Sequence, residues 1–511
     1  VSNPTDPRDP AGTDRAGDDL PDQMRVRRAK LAALRERGVD PYPVGVQRTD
    51  LLADLHERFA GLAPDTATGE RTSVAGRLVL KRDGGKLCFA TLRDGSGDLQ
   101  VMVSLDRVGA DALDAWKGEV DLADQVAVTG EVVTSRRGEL SVLADSFVLT
   151  AKALRPLPDK HKGLTDPEAR VRMRYVDLIV RPAARDMVYL RAGVVRAVRE
   201  VLHARGFTEV ETPMLQVLHG GANARPFVTH INAYDMPLYL RIAPELYLKR
   251  LLVGGVERIF EINRNFRNEG ADSSHNPEFT MLEAYEAYGD YQTMRVLTQQ
   301  LIQAAATEVF GAPVARRVET DGEVREYDLS GDWPVLTMAG ALSDALGEQV
   351  DLDTDLGVLR RHAERIGLQE PANATASMLL EELYVQLVEK PTTTPVFYTD
   401  FPKDNAPLTR AHRDDPRLTE KWDLVCWGAE QGTGYSELTD PLDQADRFAE
   451  QARRAARGDE EAMAVDEDFL RALEYGMPPA GGIGVGIDRL VMTLTGLGIR
   501  DTILFPLVKP R

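Results

Sequence analysis

Between Val74 and Thr150 the chain breaks into short runs rich in Val, Leu, Phe and Thr. Turn signals separate them at Asp83-Gly84-Gly85, Asp94-Gly95-Ser96-Gly97 and Arg136-Arg137-Gly138. Short strands at this spacing predict a small antiparallel barrel. Before it, a basic stretch from Arg25 through Lys30 to Arg37 predicts a helix over about 22–37, stopped by Gly38 and the turn-prone Asp40-Pro41-Tyr42-Pro43. A second short helix is expected near 51–60. After the barrel, Arg155-Pro156-Leu157-Pro158 opens a linker over 156–182.

Beyond it the periodicity changes. Met187, Leu190, Val194, Val198 and Leu202 mark one face of a helix that Gly206 ends, and Thr208 to Thr212 alternates as a strand up to Pro213. Strand-like runs recur at 237–242, 257–263, 277–285, 422–427 and 433–438, and a helical stretch separates them at about 335–390. Gly-rich 481–486 leads into an apolar helix at 487–496. Strands scattered among helices without regular βαβ alternation give an α+β class with a mainly antiparallel sheet.

At 511 residues the chain exceeds what one core serves, so more than one domain is expected. Hydrophobic residues are 43% and charged residues 28%, the balance of an ordinary globular protein. No stretch approaches the roughly 18 apolar residues that span a bilayer. Residues 1–22 are rich in Asp, Pro, Gly, Ser and Thr, which predicts a disordered tail. Cys88 and Cys426 are the only cysteines, which argues against a disulfide framework or a zinc site and fits a reducing cytosol. The net charge of −19 speaks against a nucleic-acid partner, but the Arg25–Arg37 stretch leaves room for a local basic track or a merely solvated helix.

The usual nucleotide templates are missing. Gly84-Gly85-Lys86-Leu87 does not complete a phosphate loop, and Gly482-Ile483-Gly484-Val485-Gly486 does not complete a dinucleotide fingerprint. Three blocks remain. The first runs Arg264-Asn265-Phe266-Arg267-Asn268-Glu269-Gly270, then His275-Asn276-Pro277-Glu278-Phe279. Its charges stand among strand-like residues, where they form either an internal ion pair or a clamp for phosphate or carboxylate. The second is Asp423 with Glu430, then Gly432-Thr433-Gly434-Tyr435-Ser436-Glu437. It suits Mg²⁺ bound through carboxylates and substrate phosphates, or is a solvated acidic edge. The third, Gly481 through Arg489, is either a tightly packed turn or an anion site at a helix start.

In this order the blocks resemble the three signature motifs of class II aminoacyl-tRNA synthetases. The helix, Gly206 and Pro213 look like motif 1, Arg267-Asn268-Glu269 like motif 2, and Gly484 through Arg489 like motif 3. Within the class, the lysine–tRNA ligases are the nearer likeness over Gly220-Gly221-Ala222, Ala224-Arg225-Pro226-Phe227 and Ala243-Pro244-Glu245-Leu246-Tyr247-Leu248-Lys249-Arg250. The likeness runs from about residue 22 to 511. It implies an antiparallel six- to seven-stranded catalytic sheet over 183–511, with the helical insertion at 335–390, and an OB-fold anticodon-binding barrel within 23–155. It also implies a homodimer built on motif 1.

The resemblance assigns roles. Gly221 and Glu245 would hold the α-amino group of lysine and Arg267 its carboxylate. Glu283, Tyr285 and Glu437 would surround the ε-ammonium, with Thr433 and Tyr435 alongside. ATP would meet Arg267, Glu269, His275, Asn276, Glu430, Gly486 and Arg489, with Phe279 on the base. Mg²⁺ would sit on Asp423 and Glu430. Arg267 and Arg489 would be the catalytic pair, and no protein nucleophile is expected. In the barrel Arg77, Phe89, Gln100 and Glu139 would read the tRNA anticodon, although a Phe in a small barrel is more often core. The chain departs from many members at Thr433 (usually Asn), Asp423 (usually Glu), Ala429 and Gln431. Competing readings are a relative that lysylates a lipid or a protein, and a catalytically silent RNA-binding protein. Lipid-modifying relatives carry a membrane segment and protein-modifying ones lack the barrel, so a cytoplasmic lysine–tRNA ligase is the expectation.

Overall fold

The structure, a computed structural model, describes residues 21–158, 163–272, 274–369, 374–456 and 462–510. The chain divides into two compact units between Thr165 and Asp166. The proposed tail at 1–22 lies almost wholly outside the described residues, and helix Asp22–Glu36 begins at its last residue.

The first unit holds strands β1 (Ala67–Arg82), β2 (Leu87–Arg93), β3 (Asp98–Ser104), β4 (Gln125–Thr134) and β5 (Leu140–Ala151). They close a barrel in the order β1-β2-β3-β5-β4. Only β3 and β5 pair in parallel. Burial alternates along β2 and β3, so Cys88, Ala90, Leu92, Val101 and Val103 fill the interior with Val74, Leu78 and Val128. Helix Ala110–Glu119 adds Leu113 and Trp116 to that core. The register of β4 on β5 slips at Thr129/Gly130, and a Cβ on Gly130 would stand 2.0 Å from the Leu143 carbonyl oxygen. Only glycine lets the two backbones approach there.

The second unit contains β6 (Thr208–Glu209), β7 (Leu215–Gln216), β8 (Val228–Ile231), β9 (Met236–Leu240), β10 (Arg258–Phe266), β11 (Glu278–Ala287), β12 (Val314–Val318), β13 (Val324–Asp328), β14 (Val335–Thr337), β15 (Val396–Thr399), β16 (Lys421–Cys426), β17 (Ala429–Ser436) and β18 (Ala480–Gly486). An eight-stranded sheet runs β14-β15-β16-β17-β18-β11-β10-β6. The run from β15 to β10 is antiparallel throughout; the short edge strands β14 and β6 pair in parallel and extend it. The strand expected at Thr208–Thr212 is only two residues long. Val210 still donates to the Phe260 carbonyl, but Pro213 has no N–H to continue the ladder.

Two long helices, Pro182–Ala204 and Tyr291–Phe310, and helix Ile487–Thr495 cover one face of this sheet, burying Val194, Val198, Leu297, Leu301 and Leu490 against Phe260, Leu282, Trp422, Ile483 and Val485. Gly206, at φ +80°, ends the first of them. The stretch at 335–390 starts with edge strand β14. It continues through helices Met338–Leu346, Leu356–Ile366 and Ala376–Tyr384 to a π-helical turn at Val385–Glu389, and has its own apolar core. Within the segment read as a linker, helices Pro167–Arg172 and Arg174–Val180 belong to the second unit. Arg174 holds them there by pairing with Asp177 and donating to the carbonyls of Arg500 and Leu504.

Candidate functional site

Strand geometry builds the site. Because side chains alternate, each strand that sends Leu282, Leu424, Ile483 or Val485 into the helix-covered core sends its next residue to the opposite face. There Glu283 and Thr433 flank Gly484, and Tyr285 and Tyr435 flank Gly482, across β11, β18 and β17. The glycines leave a trough with walls and no central ridge. It opens into a cavity of about 500 Å³ that every residue proposed for lysine, nucleotide or metal lines.

At one end the walls are acidic. Glu245 starts helix Glu245–Val253, and Glu437 follows β17. Lys249, without solvent exposure, lies 2.7 Å from Glu245 Oε1 and 2.6 Å from Glu437 Oε2. Glu437 Oε1 is buried and has no hydrogen-bond partner. Burial pushes the Glu437 carboxyl up to about 7, with Lys249 opposing and Glu245 adding to the rise. The Tyr285 hydroxyl donates to Glu283 Oε2 at 3.0 Å. Burial and then the Glu245 charge drive Glu283 well above the usual carboxylate range, while Tyr285 and Arg267 pull it down. Gly221, at φ +88°, passes close enough that a Cβ would meet Ala243 Cβ and Glu245 Cβ at 3.1 Å each. Such an end, with buried acceptors short of donors, suits a substrate bearing ammonium groups.

Toward the other end the charges invert. Arg267 follows β10, and its guanidinium carbon lies 5.1 Å from the centre of the Phe279 ring. Its Nε is buried without a hydrogen-bond partner. Burial lowers its pKa, and Glu269 and Glu430 offset part of that. A guanidinium in this state is ready for an anion. Arg489, in the first turn of helix Ile487–Thr495, donates to the Glu430 carbonyl at 2.9 Å and lies 3.3 Å from His275 Nε2. Asp272 and Ser274 hold the other ring nitrogen of His275. Asn276 donates to the Glu278 carbonyl, Glu269 is exposed at the rim, and Gly486 precedes the helix.

Asp423 and Glu430 stand on neighbouring strands β16 and β17. Lys421 Nζ lies 2.9 Å from Asp423 Oδ2, and Asp423 Oδ1 is buried without a hydrogen-bond partner. Burial raises the Asp423 pKa; Lys421 opposes the rise and Glu430 adds to it. Among the described residues no three His, Cys, Asp or Glu gather to hold an ion alone. Two like-charged carboxylates with an orphaned oxygen fit Mg²⁺, which also takes substrate phosphates as ligands. Thr433 turns its hydroxyl to the Trp422 carbonyl at 3.1 Å.

Two groups here escaped the sequence reading. Lys421 lines the cavity. Glu389, closing the π-helical turn, has its carboxyl raised to about 7 by burial and then by Glu430 and Asp423. Pi-turns are often found at functional sites, which is the signal that would have marked it.

In the barrel, Phe89 and Gln100 are half-buried, alternating with the core residues Cys88 and Leu99 on adjacent strands. Gln100 donates to Ser141 Oγ at 2.8 Å, and Glu139 is exposed in the turn two residues before Ser141. Arg77 donates to the Ala123 carbonyl at 2.8 Å, so its guanidinium is held by the barrel backbone.

A family model described as tRNA synthetases class II (D, K and N) matches residues 166–509, and one described as OB-fold nucleic acid binding domain matches residues 72–150. A lysine–tRNA ligase from Kineococcus radiotolerans is 57% identical over 98% of this chain and 99% of its own length. One from Mycobacterium bovis is 56% identical over 96% of this chain and 98% of its own. A lysylphosphatidylglycerol biosynthesis bifunctional protein LysX from Rhodococcus opacus is 52% identical over 97% of this chain, but over only 44% of itself. Among the described residues no helix is long and apolar enough to cross a membrane. The catalytic sheet, the glycine-floored trough and these likenesses agree: the chain belongs to the class II tRNA synthetases, in the group that serves aspartate, lysine and asparagine.

Proposed function

We propose that the chain activates L-lysine with ATP to lysyl-adenylate and transfers the lysyl group to the 3′ end of a lysine-accepting tRNA. One observation carries this reading: buried carboxylates at one end of a single cavity, including an unpartnered Glu437 oxygen, meet an arginine with a buried, unpartnered Nε. A neutral or acidic side chain would leave those carboxylates unpaired, a strong basis for rejection.

Glu245 and Gly221 receive the α-amino group, and Glu437, Glu283 and Tyr285 the ε-ammonium. Tyr435 and Thr433 flank the chain between them. Arg267 orients the lysine carboxylate toward the α-phosphate of ATP, whose adenine lies on Phe279 near Glu269, His275, Asn276 and Gly486. A carboxylate oxygen attacks the α-phosphorus in line, the bond to pyrophosphate breaks, and Arg267 and Arg489 offset the developing charge. Asp423 and Glu430 would hold Mg²⁺, which would supply Lewis-acid neutralisation of the phosphates when bound. The ribose hydroxyl of the tRNA then attacks the anhydride and releases AMP.

The barrel contributes Phe89, Gln100, Glu139 and Arg77 toward anticodon bases, by stacking and edge hydrogen bonds. A homodimer is supported by the exposed apolar side chains of Leu215, Val217, Leu218 and Val228, in and beside strands β7 and β8. The site of action is the cytoplasm.

The test is ATP–pyrophosphate exchange across the amino acids. Lysine alone should support it, and Arg267→Ala should reduce it by about a hundredfold or more. Exchange with aspartate or asparagine in place of lysine would refute the lysine assignment. The LysX likeness motivates a second reading, lysyl transfer to a phosphatidylglycerol. Offering lysine tRNA and lipid vesicles side by side decides which acceptor is used.

A further inference from the structure

Lysine side chains are almost never wholly buried. Lys249 is buried to 0% exposure, and its Nζ meets three acceptors: Glu245 Oε1 at 2.7 Å, Glu437 Oε2 at 2.6 Å and the Leu408 carbonyl at 3.3 Å. Two of these contacts are hydrogen bonds, and the contact with Glu437 is an ion pair. Its neighbours Leu248 and Leu252 pack into an apolar cluster, where an apolar side chain would serve folding without the cost of burying a charge. The cation therefore needs another reason. Its two carboxylate partners come from different elements and line the same cavity, where like charges drive each other toward the neutral form.

We propose that Lys249 is a positioning and specificity residue of the lysine site: from behind Glu437 it keeps that carboxylate anionic and aimed at the amino acid, so that the site takes lysine and refuses its uncharged isostere. This rests on reading the cavity as a lysine site. Lys249 is ion-paired with Oε2 of Glu437, and Oε1 stands apart, buried and without a hydrogen-bond partner. The Glu437 carboxyl is thus held against the protein's own cation and still has an acceptor free for the substrate's. Facing it are Lys249 and Glu245 from the helix, and Tyr285, with Glu283 hydrogen-bonded to it, from β11. Strand β18 brings glycine there and the Leu408 segment a carbonyl.

The experiment uses the full chain carrying Lys249→Met or Lys249→Arg, with lysine and ATP KM values read from pyrophosphate exchange between about pH 6 and 9. In the wild type, lysine KM should fall as pH rises through about 7, because the Glu437 carboxyl must lose its proton to accept an ammonium. Lys249→Met should raise lysine KM at pH 7 by about tenfold and leave ATP KM unchanged. It should also move the profile upward by about one pH unit, the shift that corresponds to tenfold. Discrimination against norleucine should weaken, and Lys249→Arg should restore part of each property. An unchanged lysine KM and profile, or equal losses for lysine and ATP, would overturn the proposal. Should Lys249→Met fail to fold, Glu437→Gln is compared with Glu437→Gln/Lys249→Met: equal lysine KM supports the proposal, and a further tenfold loss overturns it. No lysine-dependent exchange in the wild type would remove the lysine reading itself, and this proposal with it.

Discussion

A methyl group on Gly482 would place its carbon 2.0 Å from Glu437 Oε1 and 2.6 Å from Tyr285 Cε1. Both atoms belong to buried groups with little room to retreat. At Gly484 the nearest atom is Met281 Cε at 2.6 Å, the far end of a flexible side chain. The two glycines therefore predict different outcomes. Gly482→Ala should abolish lysine binding and leave ATP binding intact, whereas Gly484→Ala should cost lysine affinity no more than about tenfold; calorimetric titration with each ligand separately checks both. Residue identities such as Arg267, Glu437 and Gly482 were legible in the sequence because charges and glycines stand out from a strand pattern. Lys249 was not: on a helix read without its neighbours, it looks like a solvated lysine. Its partner Glu437 and the Leu408 carbonyl lie far along the chain, so burial and role emerge only after folding.

Among the elements, helix Ile487–Thr495 shows how Arg489 is aimed into the cavity. Asp488 in its first turn accepts the Thr280 amide at 2.7 Å and pairs with Arg191 Nη1 at 2.6 Å. Those contacts tie the helix start to β11 and to helix Pro182–Ala204, which fixes the direction of the adjacent Arg489. Asp488→Asn keeps the shape and removes the charge, leaving Arg191 unbalanced at 15% side-chain exposure. It should raise the KM for ATP in pyrophosphate exchange while the KM for lysine stays put, and lower thermal stability by about 3–5 kcal/mol, the usual range for breaking a buried pair. Elements with strong periodicity, β10, β11 and helix Pro182–Ala204, follow from the sequence to within a few residues, whereas helix Tyr291–Phe310 escaped the sequence reading. Weakly patterned ones do not follow from it either. Edge strand β14 is three residues long, all exposed, too short to show an alternation. The π-turn at Val385–Glu389 differs from an α-helix only in its hydrogen bonds, which no side-chain pattern records.

For the whole molecule, the two compact units divide the proposed labour: adenylate chemistry in the second, base recognition in the first. Phe89→Ala should therefore raise the KM for lysine tRNA by about tenfold, at roughly 1–3 kcal/mol per stacked base, without altering pyrophosphate exchange. Aminoacylation assays run beside the exchange assay test it. The net charge of −19 did not disclose the nucleic acid binding domain matched at 72–150, because a sum over the whole chain does not report how charge is distributed along it.

The eight-stranded sheet ends in a two-residue strand on one side and a three-residue strand on the other. So few free backbone groups give an incoming chain little to zip onto, and the sheet resists growth by edge pairing. Runaway polymerisation along the sheet is thereby discouraged at both rims, and any joining of two copies is steered to side-chain surfaces elsewhere.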